Sequence, residues 1–206
     1  MKNALPPRVS DVVCICGLVL VCRWGLAEGS EAAFTATVTD TSGKTYTVQK
    51  LTAKYTAEGA WLGGRPEESD TVLHIRLFIT KDRISTQDYA GVAFRNVHRI
   101  FFRSFKGSAI PVELKQALGC ADGDAPIRVE RRDGSVLLLG PRALVEMDPA
   151  GNQSKRIDIN EFSLSAREEQ GQRISLDGFC GRAKDEAGNL GDFWIPINET
   201  TSIEFE

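Results

Sequence analysis

Apolar and polar residues alternate in short runs along most of the chain, the period-two pattern of half-buried β-strands. "TVLHIRLFIT" places Leu73, Ile75, Leu77 and Ile79 on one face. "VAFRNVHRIFF" opens with Val92 and Phe94 in alternation and closes with Ile100 and Phe102 in alternation. Between them only Val97 is apolar. A single buried residue on a tight connection predicts a 3₁₀ turn between two strands. The last residues, "IPINETTSIEF", repeat this pattern. At an offset of 103 residues Val92 meets Ile195, Phe94 meets Ile197, Ile100 meets Ile203 and Phe102 meets Phe205.

A second match lies upstream of each copy. "VTDTSGKTYTV" and "VERRDGSVLLL" align at an offset of 91, with Val38 on Val129, Gly43 on Gly134 and Val48 on Leu139. Each predicts a hairpin in which Gly supplies the positive φ of the turn. The larger second offset predicts an insertion of 12 residues between the two signatures of the second copy. Within it Ile157 and Ile159 share one parity, and Phe162 and Leu164 the other. A similar break around Gly178 separates Ile174 and Leu176 from Phe179. Such breaks predict bulges or corners that curve a sheet. One segment reads as helical: Ser108 and Pro111 precede a tolerant run from Val112 to Leu118, and Gly119 stops it.

These elements predict a mainly β protein of two related, small β-barrel-like halves, residues 28–107 and 123–206, joined by a short helix within 108–122. Whether the halves form separate barrels or one continuous β domain stays open at this stage. A hairpin first and a strand, 3₁₀ turn and strand last resembles the small β-barrels of the Src-homology and Sm-like type. The resemblance covers two stretches in each half and is one of shape. Barrels of that kind bind peptides, cell-wall fragments, nucleic acids or one another, so it implies no activity. The second half is longer than a minimal barrel, and Pro196 inside its strand argues for an edge or a strand end.

The N-terminus changes the picture of where the protein works. Lys2 and Arg8 precede an apolar run from Val12 to Cys22, and Gly25 and Ala27 stand where a signal peptidase needs small residues. Residues 1–27 therefore read as a signal peptide, with an uncut anchor as the alternative. The run is too short for a membrane span, which takes about 20 residues, so no span is expected after cleavage. The protein is expected to be exported, to a periplasmic or extracellular location. A formal charge of −3 with interspersed signs offers no basic surface for nucleic acid. Cys14, Cys16 and Cys22 leave with the signal, and Cys120 and Cys180 remain. In an oxidising compartment that pair is expected to form a disulfide, the alternative being two separate buried thiols.

No residues gather into a catalytic constellation. Only His74 and His98 could act as imidazole bases, and both read as solvent-facing. "GCADG" follows a helix, whereas a nucleophile elbow follows a strand. Two Cys and two His, scattered, do not make a zinc site. "KDEAGNLGD" gathers Asp185, Glu186, Asn189 and Asp192 but lacks the calcium-loop spacing, and reads as a Gly/Asn hairpin turn. No cofactor is expected. The aromatics carry the remaining lead. Trp194 points outward beside core residues of the last segment, as a contact between the copies or as part of a binding surface; the contact is favoured. Trp61 lies in the Gly-rich, charged stretch "EGAWLGGRPEES", where either role is open. The leading expectation is a non-enzymatic binding or scaffold module whose partner is a protein or a cell-envelope polymer. The alternative is a secreted hydrolase of carbohydrate or peptide, with two carboxyls in a cleft and one raised in pKa.

Overall fold

The computed structural model describes residues 34–57, 67–70, 72–79, 86–103, 110–121, 125–169, 172–185 and 187–206. Residues 1–27, expected to be a signal peptide, and Trp61 lie outside them. In chain order the strands are β1 (Ala36–Asp40), β2 (Thr45–Ala57), β3 (Glu67–Asp70), β4 (Val72–Phe78), β5 (Thr86–Ala93) and β6 (Val97–Phe101), then helix α1 (Val112–Leu118). After it come β7 (Ile127–Arg131), β8 (Val136–Leu139), β9 (Ala143–Met147), β10 (Gln153–Asp158), β11 (Glu161–Ser163), β12 (Ser165–Glu169), β13 (Gln172–Lys184), β14 (Leu190–Pro196) and β15 (Thr200–Phe205). The protein is mainly β, as its alternation requires.

Local signals determine the joints. Both expected 3₁₀ turns form, at Phe94–Asn96 and Ile197–Glu199. The turn residues Gly43, Gly134, Gly151 and Gly188 have φ of 84° to 86°. Each is the last residue of the same three-residue loop, in which its N–H bonds the carbonyl three residues back (Asp40, Arg131, Asp148 and Asp185). This is a type I turn followed by a left-handed residue, the usual three-residue hairpin loop. A carboxylate secures each loop. The Asp40 carboxylate accepts from Ser42 N and Lys44 N, Asp133 from Ser135 N and Oγ, Asp148 from Asn152 N, and Asp185 from Asn189 N. Helix α1 ends at Gly119, whose φ of 76° lets the Cys120 N–H reach back to the Lys115 carbonyl.

Strands from both sides of α1 enter one sheet. Its order is β10-β9-β8-β7-β6-β15-β1-β2-β13-β12, with β14 also on β13 and β3 also on β2. β11, β4 and β5 form a second sheet. The path is open at β10 and at β12, so among the described residues no closed barrel forms. The expectation of barrel-like halves is corrected to one open, twelve-stranded sheet and a second, three-stranded sheet. The parity breaks mark irregularities in the strands. β13 shifts register between Leu176 and Gly178, where a Cβ on Gly178 would overlap the Ile195 carbonyl. On β2, Lys50 is left-handed at φ 54°, and a Cβ on Gly181 would overlap the backbone of that bulge. The break near Ile159 is a strand end, after which β11 leaves for the second sheet.

The pairings repeat at the offsets of the sequence matches. β1 pairs β2 with Ala36 on Val48 and Val38 on Tyr46; β7 pairs β8 with Ile127 on Leu139 and Val129 on Leu137. β15 pairs β1 with Ile203 on Val38 and Thr200 on Asp40; β6 pairs β7 with Ile100 on Val129 and Val97 on Arg131. Even the bulge recurs, between Thr39 and Asp40 and between Val97 and Arg99. Each closing strand therefore lies against the opening strand of the other copy. The two closing strands also pair with each other, Ile100 opposite Ile203.

Val38, Val48, Leu73, Phe94, Ile100, Val129, Leu137, Phe179, Ile203 and Phe205 fill the main core. Leu118, Leu138, Ala143 and Val145 form a second cluster where α1 covers the sheet. Leu137 and Leu139 thus face the main core and Leu138 faces the helix, so "VLLL" is apolar throughout: both of its faces are buried.

The expected disulfide does not form. Cys120 packs against the α1 cluster, while Cys180 Sγ lies 3.0 Å from Thr52 Oγ1 on the far part of the sheet. Cys180→Ala should therefore shift the unfolding free energy by less than about 1 kcal/mol in urea melts. A bridge closing that loop would have cost about 4 kcal/mol on removal.

The turn carboxylates also set a pH dependence. Hydrogen bonding by the Ser135 hydroxyl and then its N–H holds Asp133 below its ordinary pKa of 3.8. A group lowered on folding stabilises above its unfolded pKa, and that stability is lost as pH falls through the folded value. Asp133→Asn keeps the acceptor oxygen but cannot titrate. Its urea midpoint should fall less than the parent's between about pH 5 and pH 3; equal slopes would show that the loop carboxylate contributes nothing.

Candidate functional site

β13 and β14 pair with Cys180 on Trp194, Arg182 on Asp192 and Lys184 on Leu190. Paired residues of an antiparallel sheet share a face. The next pairs, Phe179 on Ile195 and Gly181 on Phe193, turn toward the core. The first set therefore faces outward. On the other flank β2 places Thr52 opposite Cys180 and Lys54 opposite Gly178. Thr52, Cys180 and Trp194 form one row across three strands.

Trp194 is 47% exposed, and Leu190 on the same strand face is 39% exposed. The Lys54 ammonium lies 5.1 Å from the Trp194 ring centroid, within cation–π range. Arg182 Nη2 donates to the Leu190 carbonyl at 3.3 Å. The Thr56 hydroxyl donates to the Asp177 carboxylate. The result is a shallow face with an aromatic centre, three cations (Lys54, Arg182, Lys184) and two carboxylates (Asp177, Asp192). Among the described residues β14 pairs only β13, so it is also a sheet edge. Pro196 ends that strand, the place its missing N–H allows.

Trp194 lies on the outer face of β14, partly exposed, with its ring against Lys54 of the segment before α1, so it makes a contact across the two segments and also presents a surface. Cys180 belongs to the same face, and Cys120 to the α1 cluster. Lys54 was not legible as a site residue, because only the β2–β13 register brings it beside a tryptophan 140 positions later in the chain.

The residues considered for catalysis lie elsewhere. His98 is exposed, with Nε2 3.9 Å from Glu204. His74 packs edge-on against Tyr55, centroids 5.5 Å apart, and its N–H donates to the Tyr55 hydroxyl oxygen at 3.0 Å. Its neighbour Arg76 is buried. Asp185 caps a hairpin loop, and among the described residues no group of three or more His, Cys, Asp or Glu is placed to hold a metal ion. The pKa shifts of Asp40, Asp133, Asp148 and Asp185 are all downward, caused chiefly by loop hydrogen bonds. A general acid requires the opposite shift.

Comparison of the chain with protein-family models, with curated proteins and with solved structures gave no match.

An exposed Trp contributes little to folding, which separates a binding role from a structural one. Trp194→Ala should change the unfolding free energy by less than about 1 kcal/mol. Truncation of the buried Phe179 on the same sheet should cost about 3–5 kcal/mol. Chemical denaturation of the two variants makes the comparison.

Proposed function

We propose that the protein is an exported, non-enzymatic binding or scaffold module of the cell envelope, built from two related β halves. Its partner is a protein or an envelope polymer, and its binding face is the outer surface of β2, β13 and β14. The observation that carries this reading is Trp194: a large aromatic side chain left on the surface, beside a cation, at a position the first copy fills with Gly91. A residue that the shared architecture does not require, and that adds little to the core, is best accounted for by contact with a partner. The repeated register supports the relation between the halves. The charged N-terminus and apolar run of residues 1–27 support export.

The face suits extended ligands better than small enclosed ones. It is shallow, and Trp194 offers an aromatic surface for the apolar side of a sugar ring or a peptide side chain. Lys54, Arg182 and Lys184 add hydrogen-bond donors around it.

Co-sedimentation with protein-stripped envelope polymer, and crosslinking to envelope proteins in the intact cell, test the two partner classes. Trp194→Ala and Lys54→Ala should each reduce retention by about tenfold, the effect of losing an interface anchor worth more than 1 kcal/mol. Equal retention of both variants and the parent, or no retention of any fraction by the parent, would overturn this assignment.

A further inference from the structure

A second surface feature lies at the C-terminal end of α1, apart from the Trp194 face. Gln116 and Ala117 of the helix, Arg142 of the β8–β9 connection, and Arg156, Asp158, Ile159 and Asn160 line a solvent-open cavity of about 450 Å³. That lies within the 300–1,000 Å³ typical of small-molecule pockets. None of its residues belongs to the segments whose sequence and register repeat. They come from the connecting helix and from the middle of the second copy.

The Arg156 guanidinium and the backbone and stem of Arg142 are positioned by the surrounding chain. Arg156 Nε donates to Asp158 Oδ1 at 2.8 Å, and its Nη2 donates to the Ala117 carbonyl at 3.4 Å. Arg142 donates its backbone N–H to the Leu118 carbonyl and accepts from the Ile159 N–H, both at 2.9 Å. Its aliphatic stem lies against Gly119, where any Cβ would overlap it. Backbone and stem are therefore held from three segments, yet no group among the described residues pairs with the Arg142 guanidinium. A guanidinium presents a planar fork matched to a carboxylate or a phosphate.

The charge of the site chooses between these. Arg142, Arg156 and Asp158 sum to a single positive charge, and Ala117 presents the carbonyl end of the helix, which disfavours added negative charge. A monoanion balances the cavity and a dianionic phosphate does not. Gln116 and Asn160 place amide groups at the wall, suited to hydroxyl or amide groups beside the anion; Asn160 Nδ2 is already committed to the Ile79 carbonyl at 2.8 Å. We propose that this cavity binds a small ligand through its carboxylate, with Arg142 as the principal contact and Arg156 as the supporting one. The site is independent of the envelope partner read from Trp194.

Isothermal titration of the full chain with sodium glucuronate and with N-acetylalanine tests this, with glucose and inorganic phosphate as comparisons. At least one carboxylate should bind, and more tightly than phosphate, while glucose does not. The better of the two separates a sugar acid from an acylated amino acid. Arg142→Gln should weaken binding by at least about tenfold with an unchanged unfolding temperature. Should that variant lose stability, Arg142→Lys retains the stem and charge and should still bind more weakly, because it lacks the fork. Tighter binding of phosphate, no binding of either carboxylate at millimolar concentration, or unchanged affinity in a stably folded Arg142 variant would each overturn the proposal.

Discussion

The pairing of β6 with β15 is the contact on which the rest of the sheet depends. Ile100 faces Ile203 across it, and both are fully buried. On one side β6 continues into β7 and β8; on the other β15 continues into β1 and β2. Without this central pair the sheet would divide in two, and each closing strand would lose its second neighbour. The contact joins distant parts of the chain, Ile100 with Ile203, and beside it β1 near residue 36 meets β15 near residue 205. Loop-closure entropy is committed before such pairings form, which places the protein among the slower-folding, high-contact-order topologies.

Crossed pairing separates what the architecture requires from what it leaves available. The opening hairpins, the 3₁₀ turns and the closing strands carry the shared core, and their apolar positions correspond. The middles of the two copies do not correspond, and they supply the distinctive chemistry. Bulges at Lys50 and Gly178 bend β2 and β13 so that their inner residues fill the main core. The outer side of the same bend carries Thr52, Lys54, Cys180 and Trp194. After α1, strands β8 and β9 receive the helix on their outer side, and the margin of that contact is the arginine-lined cavity.

Much of the local structure was legible because its causes are local. Gly43, Gly134 and Gly188 announce positive φ; Gly119 announces a helix stop; Val97 between two alternating runs announces a 3₁₀ turn. Leu73, Ile75 and Leu77 are buried together as their alternation implies, while Ile79 lies beyond the end of β4 and is exposed. The errors concern neighbours distant in sequence. Arg76 alternates with Leu73, Ile75 and Leu77 along β4, yet it is buried as they are. Cys120 and Cys180 form an even pair by count, but the sheet assigns them to different environments. Trp194 meets the segment before α1 through Lys54, a neighbour that only the β2–β13 register supplies.

The sequence by itself determined the β-rich class, the hairpin turns at Gly43, Gly134 and Gly188, the 3₁₀ turns, the helix and its end, and the correspondence between two pairs of segments. All of these follow from side-chain period and from the φ that Gly permits, which act over a few residues. Only the tertiary structure decided that closing strands cross over to the opposite opening strands and that the sheet stays open. It also decided that Lys54 lies beside Trp194 and that Arg142 shares a cavity with Arg156. Those outcomes depend on which strand edge each strand meets, and hydrogen-bonding edges are alike in every strand. Register and burial against the whole core select among them, and no short stretch of sequence contains that information.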